Sequence, residues 1–209
     1  MCSRYLVELS PELRPIIEAA ERSALSLRMR DKLARPLKTE GEIRPSDIAP
    51  VIAPDARGNR AVFPMVWGFS PVQGNGLLIN ARVETAAEKP TFRDCWLRRR
   101  CVIPASCYFE WEHLLSSSGK PKAGAKYVIQ PRNTDVTWLA GLYRMEDGFP
   151  HFAVLTREPA AEIRFLHDRM PLMLPEQAIV RWIDPLTPLP EVEEIAAAAL
   201  QDVMFEKAG

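Results

Sequence analysis

The chain has 209 residues, and 27 Lys and Arg balance 27 Asp and Glu, so its formal net charge is zero. A hydrophobic content of 47% with 26% charged residues excludes a disordered or collagen-like chain, and no apolar run approaches the ~20 residues of a membrane span. Charge is uneven: residues 1–132 carry 21 basic and 14 acidic residues, and residues 133–209 carry 6 and 13. A basic front half can present a positive face without net charge, although a solvated surface explains the charge equally well. The start, MCSRYLVELS, lacks the apolar core and cleavage site of a secretory signal, so a cytoplasmic protein is expected. Residues 12–34 read as one helix, with Leu13, Ile16, Ile17, Ala20, Ala24 and Leu27 at helical spacing behind Ser10 and Pro11. Strand-length apolar runs follow: Ala61 to Phe69, Leu77 to Ile79, Cys101 to Ile103, Cys107 to Trp111, Lys126 to Ile129, Thr137 to Tyr143 and Phe152 to Thr156. Residues 112–125 read as a polar loop. Short helices are expected over 159–166 and 176–183. A last helix follows Pro190, on a stripe of Val192, Ile195, Ala196, Ala199, Leu200 and Val203. No internal repeat or break in composition calls for a second domain.

Phosphate-cradling glycine motifs and the zinc-deaminase signature are absent. Cys95, Cys101 and Cys107 are separated by five residues each, unlike the close pairs of structural zinc sites. His113, His151 and His167 are scattered without ligand pairing. No metal and no cofactor are expected.

Cys2 is chemically special. Removal of an initiator Met before a small residue leaves an N-terminal cysteine, with a free α-amine beside its thiol. Their ordinary pKa values, about 7.7–8.0 and about 8.5, make both nucleophiles accessible near neutrality. Such a 1,2-aminothiol can condense with an aldehyde through nitrogen and close through sulfur to a thiazolidine. Alternatively, an N-terminal nucleophile can attack an amide with its own amine as base. The residues permit both.

Five blocks in order carry a resemblance: Met1-Cys2-Ser3-Arg4; Trp67-Gly68-Phe69 with Pro71; Asn80-Ala81-Arg82-Val83-Glu84-Thr85; Arg100-Cys101-Val102-Ile103-Pro104-Ala105 running into Tyr108-Phe109-Glu110-Trp111; and His167-Asp168-Arg169-Met170-Pro171. This pattern resembles the SOS-response-associated peptidase (SRAP) family. Ser3 and Cys107 stand where the family has Gly. The resemblance implies a protein that captures abasic sites in single-stranded DNA covalently through Cys2. The expected fold is α+β: a single domain over 1–209 of mainly antiparallel, barrel-like sheets with flanking helices. A monomer without membrane attachment is expected.

Carried over, the resemblance makes Cys2 the nucleophile. Asn80 would hold the α-amine or a sugar hydroxyl, Glu110 would shuttle protons from its aromatic frame, and His167 would protonate the opening sugar. Each also has a plainer reading: a turn cap for Asn80, an arginine partner for Glu110, a turn residue for His167. Arg4 and Arg82 are the foremost phosphate contacts, with Arg98 to Arg100 and Lys120 to Lys126 behind them. Trp67 either stacks on a base or fills the core. Arg169 either contacts DNA or holds an internal ion pair. The alternative activity is a cysteine peptidase or amidohydrolase using Cys2, including removal of its own Met1.

Overall fold

The computed structural model describes residues 2–115 and 121–208. In chain order the elements are β1 (Tyr5–Val7), α1 (Arg14–Glu21), α2 (Ala24–Leu33), β2 (Gly41–Ile43), β3 (Ile48–Pro54), β4 (Arg60–Trp67) and β5 (Asn80–Arg82). Next come α3 (Val83–Ala86), α4 (Pro90–Arg98), β6 (Arg100–Ala105), β7 (Cys107–Leu115), β8 (Pro121–Pro131), β9 (Thr137–Glu146) and β10 (Phe149–Arg157). The chain ends with β11 (Met170–Pro171), β12 (Met173–Leu174), α5 (Ile179–Ile183), α6 (Leu189–Ala197) and β13 (Val203–Lys207). The fold is mixed α and β, as the sequence indicates. Among the described residues no helix is long and apolar enough to cross a membrane.

Five strands close into a barrel. β10 pairs in parallel with β4 and antiparallel with β9, and β4, β3, β6 and β9 are joined by antiparallel ladders. The apolar runs explain why. Val51, Ile52, Val102, Ile103, Leu139, Leu142, Val154 and Leu155 are all buried, and β-branched or bulky side chains fill a closed sheet well. Gly141, in β9, lies where the barrel leaves no room. A Cβ there would meet Ile103 Cδ1 at 2.5 Å and both the Ala153 carbonyl and Cys101 Sγ at 3.0 Å. Gly141→Val is therefore expected to cost about 1–3 kcal/mol through overpacking, read as a lower midpoint in urea unfolding.

A second sheet, in the order β13-β8-β7-β1-β2, is antiparallel throughout. Its strand β1 lies alongside β7. Arg100 ties the helices to the barrel. It is fully buried, and its guanidinium donates to the carbonyls of Trp96, Leu97, Trp182 and Asp184 at 2.6–3.0 Å.

Several local expectations change. The helix expected over 12–34 is two helices. Ser23 is extended and its hydroxyl caps Leu25 N, which starts α2, and Ala34 ends it with a left-handed φ of 51°. The loop expected over 112–125 is largely the β7–β8 hairpin, because Glu112 accepts from Ala125 N and Tyr127 Oη across the strands. Its tip, 116–120, lies outside the described residues. The helix expected over 159–166 is one 3-10 turn, Ala161–Ile163, and that over 176–183 is a 3-10 turn leading into α5. The last helix stops at Ala197; Leu200 instead bridges to Met173, and Val203 opens β13.

Candidate active site

From Cys2 onward the first described residues run into the interior. In β1, Tyr5 faces Tyr108 and Leu6 faces Cys107 on β7, and Phe109 N donates to the Arg4 carbonyl at 3.0 Å. This pairing carries Cys2, which is fully buried, into the region of Glu110. The Cys2 thiol donates to the Arg4 carbonyl at 3.6 Å. Burial raises its pKa well above the ordinary cysteine value, and the Glu110 charge raises it further.

Asn80 opens β5, which lies parallel to β10 with Asn80 opposite Val154. Its Nδ2 donates to the Cys2 carbonyl at 2.9 Å. Its Oδ1 is buried and has no hydrogen-bond partner among the described residues; the same holds for Tyr5 Oη and Tyr108 Oη. Both tyrosines feel the Cys2 charge. Buried polar atoms are normally paired, and these three are exceptions among the described residues.

Glu110, on β7, is 5% exposed. Burial raises its carboxyl pKa above the usual range, which suits a group that must both give and take a proton. His167 lies in the turn between β10 and β11. Arg169 N donates to its Nδ1 at 3.0 Å, and Asp168 Oδ1 is 2.6 Å from the same atom. Burial holds its pKa down to about 4, leaving a neutral imidazole at neutral pH. The rings of His113 and His167 meet edge to face with centroids 4.3 Å apart. Glu110, His113 and His167 each offer one ligand atom within 4.8 Å of the others. Two of the histidines that look scattered in sequence are therefore paired in space.

The low pKa of His167 has a consequence for stability. The unfolded histidine, near about 6.5, takes up its proton before the folded one does as pH falls. Stability linked to this group is thus complete above about pH 6.5 and lost as pH falls through about 4. Between pH 7 and 5, His167→Gln is expected to lose less melting temperature than the unaltered protein, read by thermal melts across pH.

The structure thus brings all four expected catalytic side chains to one region. The expected DNA contacts divide. Arg4 is half-buried, sits 5.1 Å above the Trp111 ring and pairs with Glu42 at 3.3 Å. Arg82 is exposed at the end of β5. Trp67, by contrast, is fully buried between Tyr5 and Phe152 and donates Nε1–H to the Ile79 carbonyl. It fills the core, with no ring face for a base. Arg169 is 8% exposed and donates to Glu84 Oε2 and the Thr156 carbonyl, both at 2.7 Å. It fixes the His167 turn instead of reaching outward. Arg100 is likewise internal. Sequence reasoning missed Trp111 as a half-buried aromatic under Arg4 and His113 as a neighbour of His167. Lys126, one of the weaker phosphate candidates, lies over Phe109 and Trp111 at 3.7 and 5.7 Å. Period-two spacing along β7 places Trp111 on the face opposite Glu110, and that was the available signal.

The sequence profile described as SOS response associated peptidase (SRAP) matches residues 1–206. The chain belongs to the SRAP family. It is 32% identical over 162 residues to abasic site processing protein YoqW of Bacillus subtilis, covering 70% of each chain. Abasic site processing protein YedK of Escherichia coli is 29% identical over 143 residues, 65% of this SRAP chain and 60% of that protein. Among solved structures, a phage-related protein of Bordetella bronchiseptica shares the fold, with a TM-score of 0.74 at 23% identity over 99% of this chain and 94% of that one.

Proposed function

We propose that this protein processes abasic sites by capturing them covalently in single-stranded DNA through Cys2, after loss of Met1. The observation that carries this reading is the burial of Cys2 against Asn80, whose Oδ1 has no partner among the described residues, in one region with Glu110 and His167. The relatives named as abasic site processing proteins support the substrate class.

The chemistry follows from the residue types. An abasic deoxyribose equilibrates between a closed ring and an open aldehyde. His167, neutral and half-buried at the site, takes the proton of the anomeric hydroxyl and hands it to the ring oxygen as the ring opens, so its own charge is unchanged. The Cys2 α-amine, held by Asn80 Oδ1, attacks the aldehyde carbon and gives a carbinolamine. Glu110 in its protonated form releases the hydroxyl as water, leaving an iminium ion. Cys2 sulfur then adds to the same carbon, and its proton returns to the Glu110 carboxylate. One water is lost overall, and a five-membered thiazolidine remains. The order suits a thiol whose pKa burial raises: nitrogen leads and sulfur follows.

The same feature weighs against a thiolate peptidase, in which a neighbouring imidazole lowers the thiol pKa. Here the thiol proton goes to the Arg4 carbonyl. Amide cleavage is accordingly assigned to the loss of Met1 at most, with no turnover of peptides in trans.

Arg4, Arg82 and Trp111 form the strand-binding surface. Arg4→Ala and Arg82→Ala are each expected to reduce the salt slope for undamaged single-stranded DNA by about 0.7, and Trp111→Ala to cost about 1–3 kcal/mol of binding. Fluorescence anisotropy across a salt series reads both. Capture itself is tested on a denaturing gel with a labelled oligonucleotide bearing one abasic site. A heat-stable shifted band absent with undamaged oligonucleotide is expected; no band from protein lacking Met1 would overturn the reading.

A further inference from the structure

We propose that Glu110, His113 and His167 form a binding site for a divalent metal ion of the zinc class, and that the bound ion blocks capture. The second clause rests on the proposed function; the first does not.

Two imidazoles and one carboxylate are a donor set for zinc and neighbouring transition ions, whereas magnesium and calcium favour all-oxygen shells. The three ligand atoms lie within 4.8 Å of one another. Ligands around a tetrahedral zinc at about 2.0–2.1 Å stand about 3.4 Å apart, so a modest closure completes the set. His113 is placed to supply it. It is exposed, and it follows the register shift between Trp111 and His113, where the β7–β8 ladder is irregular.

The other two ligands are already oriented. Glu110 is buried on the strand that also carries His113. His167 Nδ1 lies 2.6 Å from Asp168 Oδ1, and with the ring proton on Nδ1 toward that carboxylate, Nε2 is left for the ion. An outer contact of this kind fixes a metal-binding imidazole in its ring orientation.

The ion would occupy the same carboxylate oxygen and imidazole nitrogen that capture uses to move protons. Metal and lesion then exclude one another, and the free zinc level sets the fraction of protein able to react.

The test titrates ZnCl2 into the full chain by calorimetry and CoCl2 by visible absorption, with circular dichroism to confirm that variants fold. One ion per chain is expected, with a cobalt spectrum of mixed nitrogen and oxygen ligation. His113→Ala, at an exposed position, is expected to weaken binding at least about tenfold. Absence of binding by the unaltered chain, or equal binding by His113→Ala, would overturn the site. In the adduct assay, saturating zinc is expected to suppress the band and a chelator to restore it; an unchanged band would overturn the block. A lack of adduct in metal-free protein counts against capture alone, and the titrations still decide the metal site.

Discussion

Cys2→Ala is expected to abolish the heat-stable adduct with an abasic oligonucleotide, leaving no shifted band above that of undamaged DNA. The alanine keeps the α-amine, so an imine can still form, but it has no atom to close the ring and the imine hydrolyses on heating. Cys2→Ser separates the two steps more finely. Its hydroxyl is a poorer nucleophile toward the iminium carbon, so at most a labile link survives. Neither substitution should disturb the fold greatly, since the Cys2 thiol makes a long contact to the Arg4 carbonyl, and the backbone contact to Asn80 remains. Binding to undamaged strands should persist in both. A heat-stable band from Cys2→Ala would move the chemistry to another residue.

Glu110→Gln is expected to slow adduct formation by about 10²–10⁴-fold, the usual contribution of a positioned general acid–base group. The amide is nearly the same shape but can no longer supply the proton that expels water or take back the one released by sulfur. Burial raises the Glu110 pKa, so its protonated form is available closer to neutrality than for an exposed carboxyl. Single-turnover time courses on the denaturing gel read the rate, and anisotropy with undamaged strands should show unchanged binding. An unaltered rate would remove Glu110 from the reaction.

The parts of this protein that were legible in its sequence are those governed by local pattern. The apolar runs at 101–103, 137–143 and 152–156 correspond to β6, β9 and β10 of the barrel, because a strand buried on both faces needs little beyond β-branched and large apolar side chains. β3 was missed because its sequence, Ile-Ala-Pro-Val-Ile-Ala-Pro, contains two prolines; in the fold Pro50 faces Pro64 across the ladder. α4 was missed because only Phe92, Cys95 and Trp96 of its nine residues are buried, too few to show a periodic stripe. The split at Ser23 turns on one extended residue, which a helical stripe of apolar positions conceals.

The site divides along the same line. Cys2, Asn80, Glu110 and His167 were found by the order of motifs, and the fold gathers them from four separate segments. Trp67 and Arg169 sit in the same motifs, yet they serve the core and the His167 turn. Burial decides between these roles, and neither residue type announces it. His113 stands three residues beyond Glu110 with no motif of its own; its nearness to His167 exists only once β7 and the β10–β11 turn come together.

The central claim is a covalent bond between Cys2 and the abasic carbon, and intact mass spectrometry of the reaction product tests it most directly. The predicted species has the mass of the chain without Met1, plus the abasic oligonucleotide, less one water, and digestion places the link on the N-terminal peptide. A product that retains Met1, a link on any other peptide, or no product from protein already free of Met1 would contradict it.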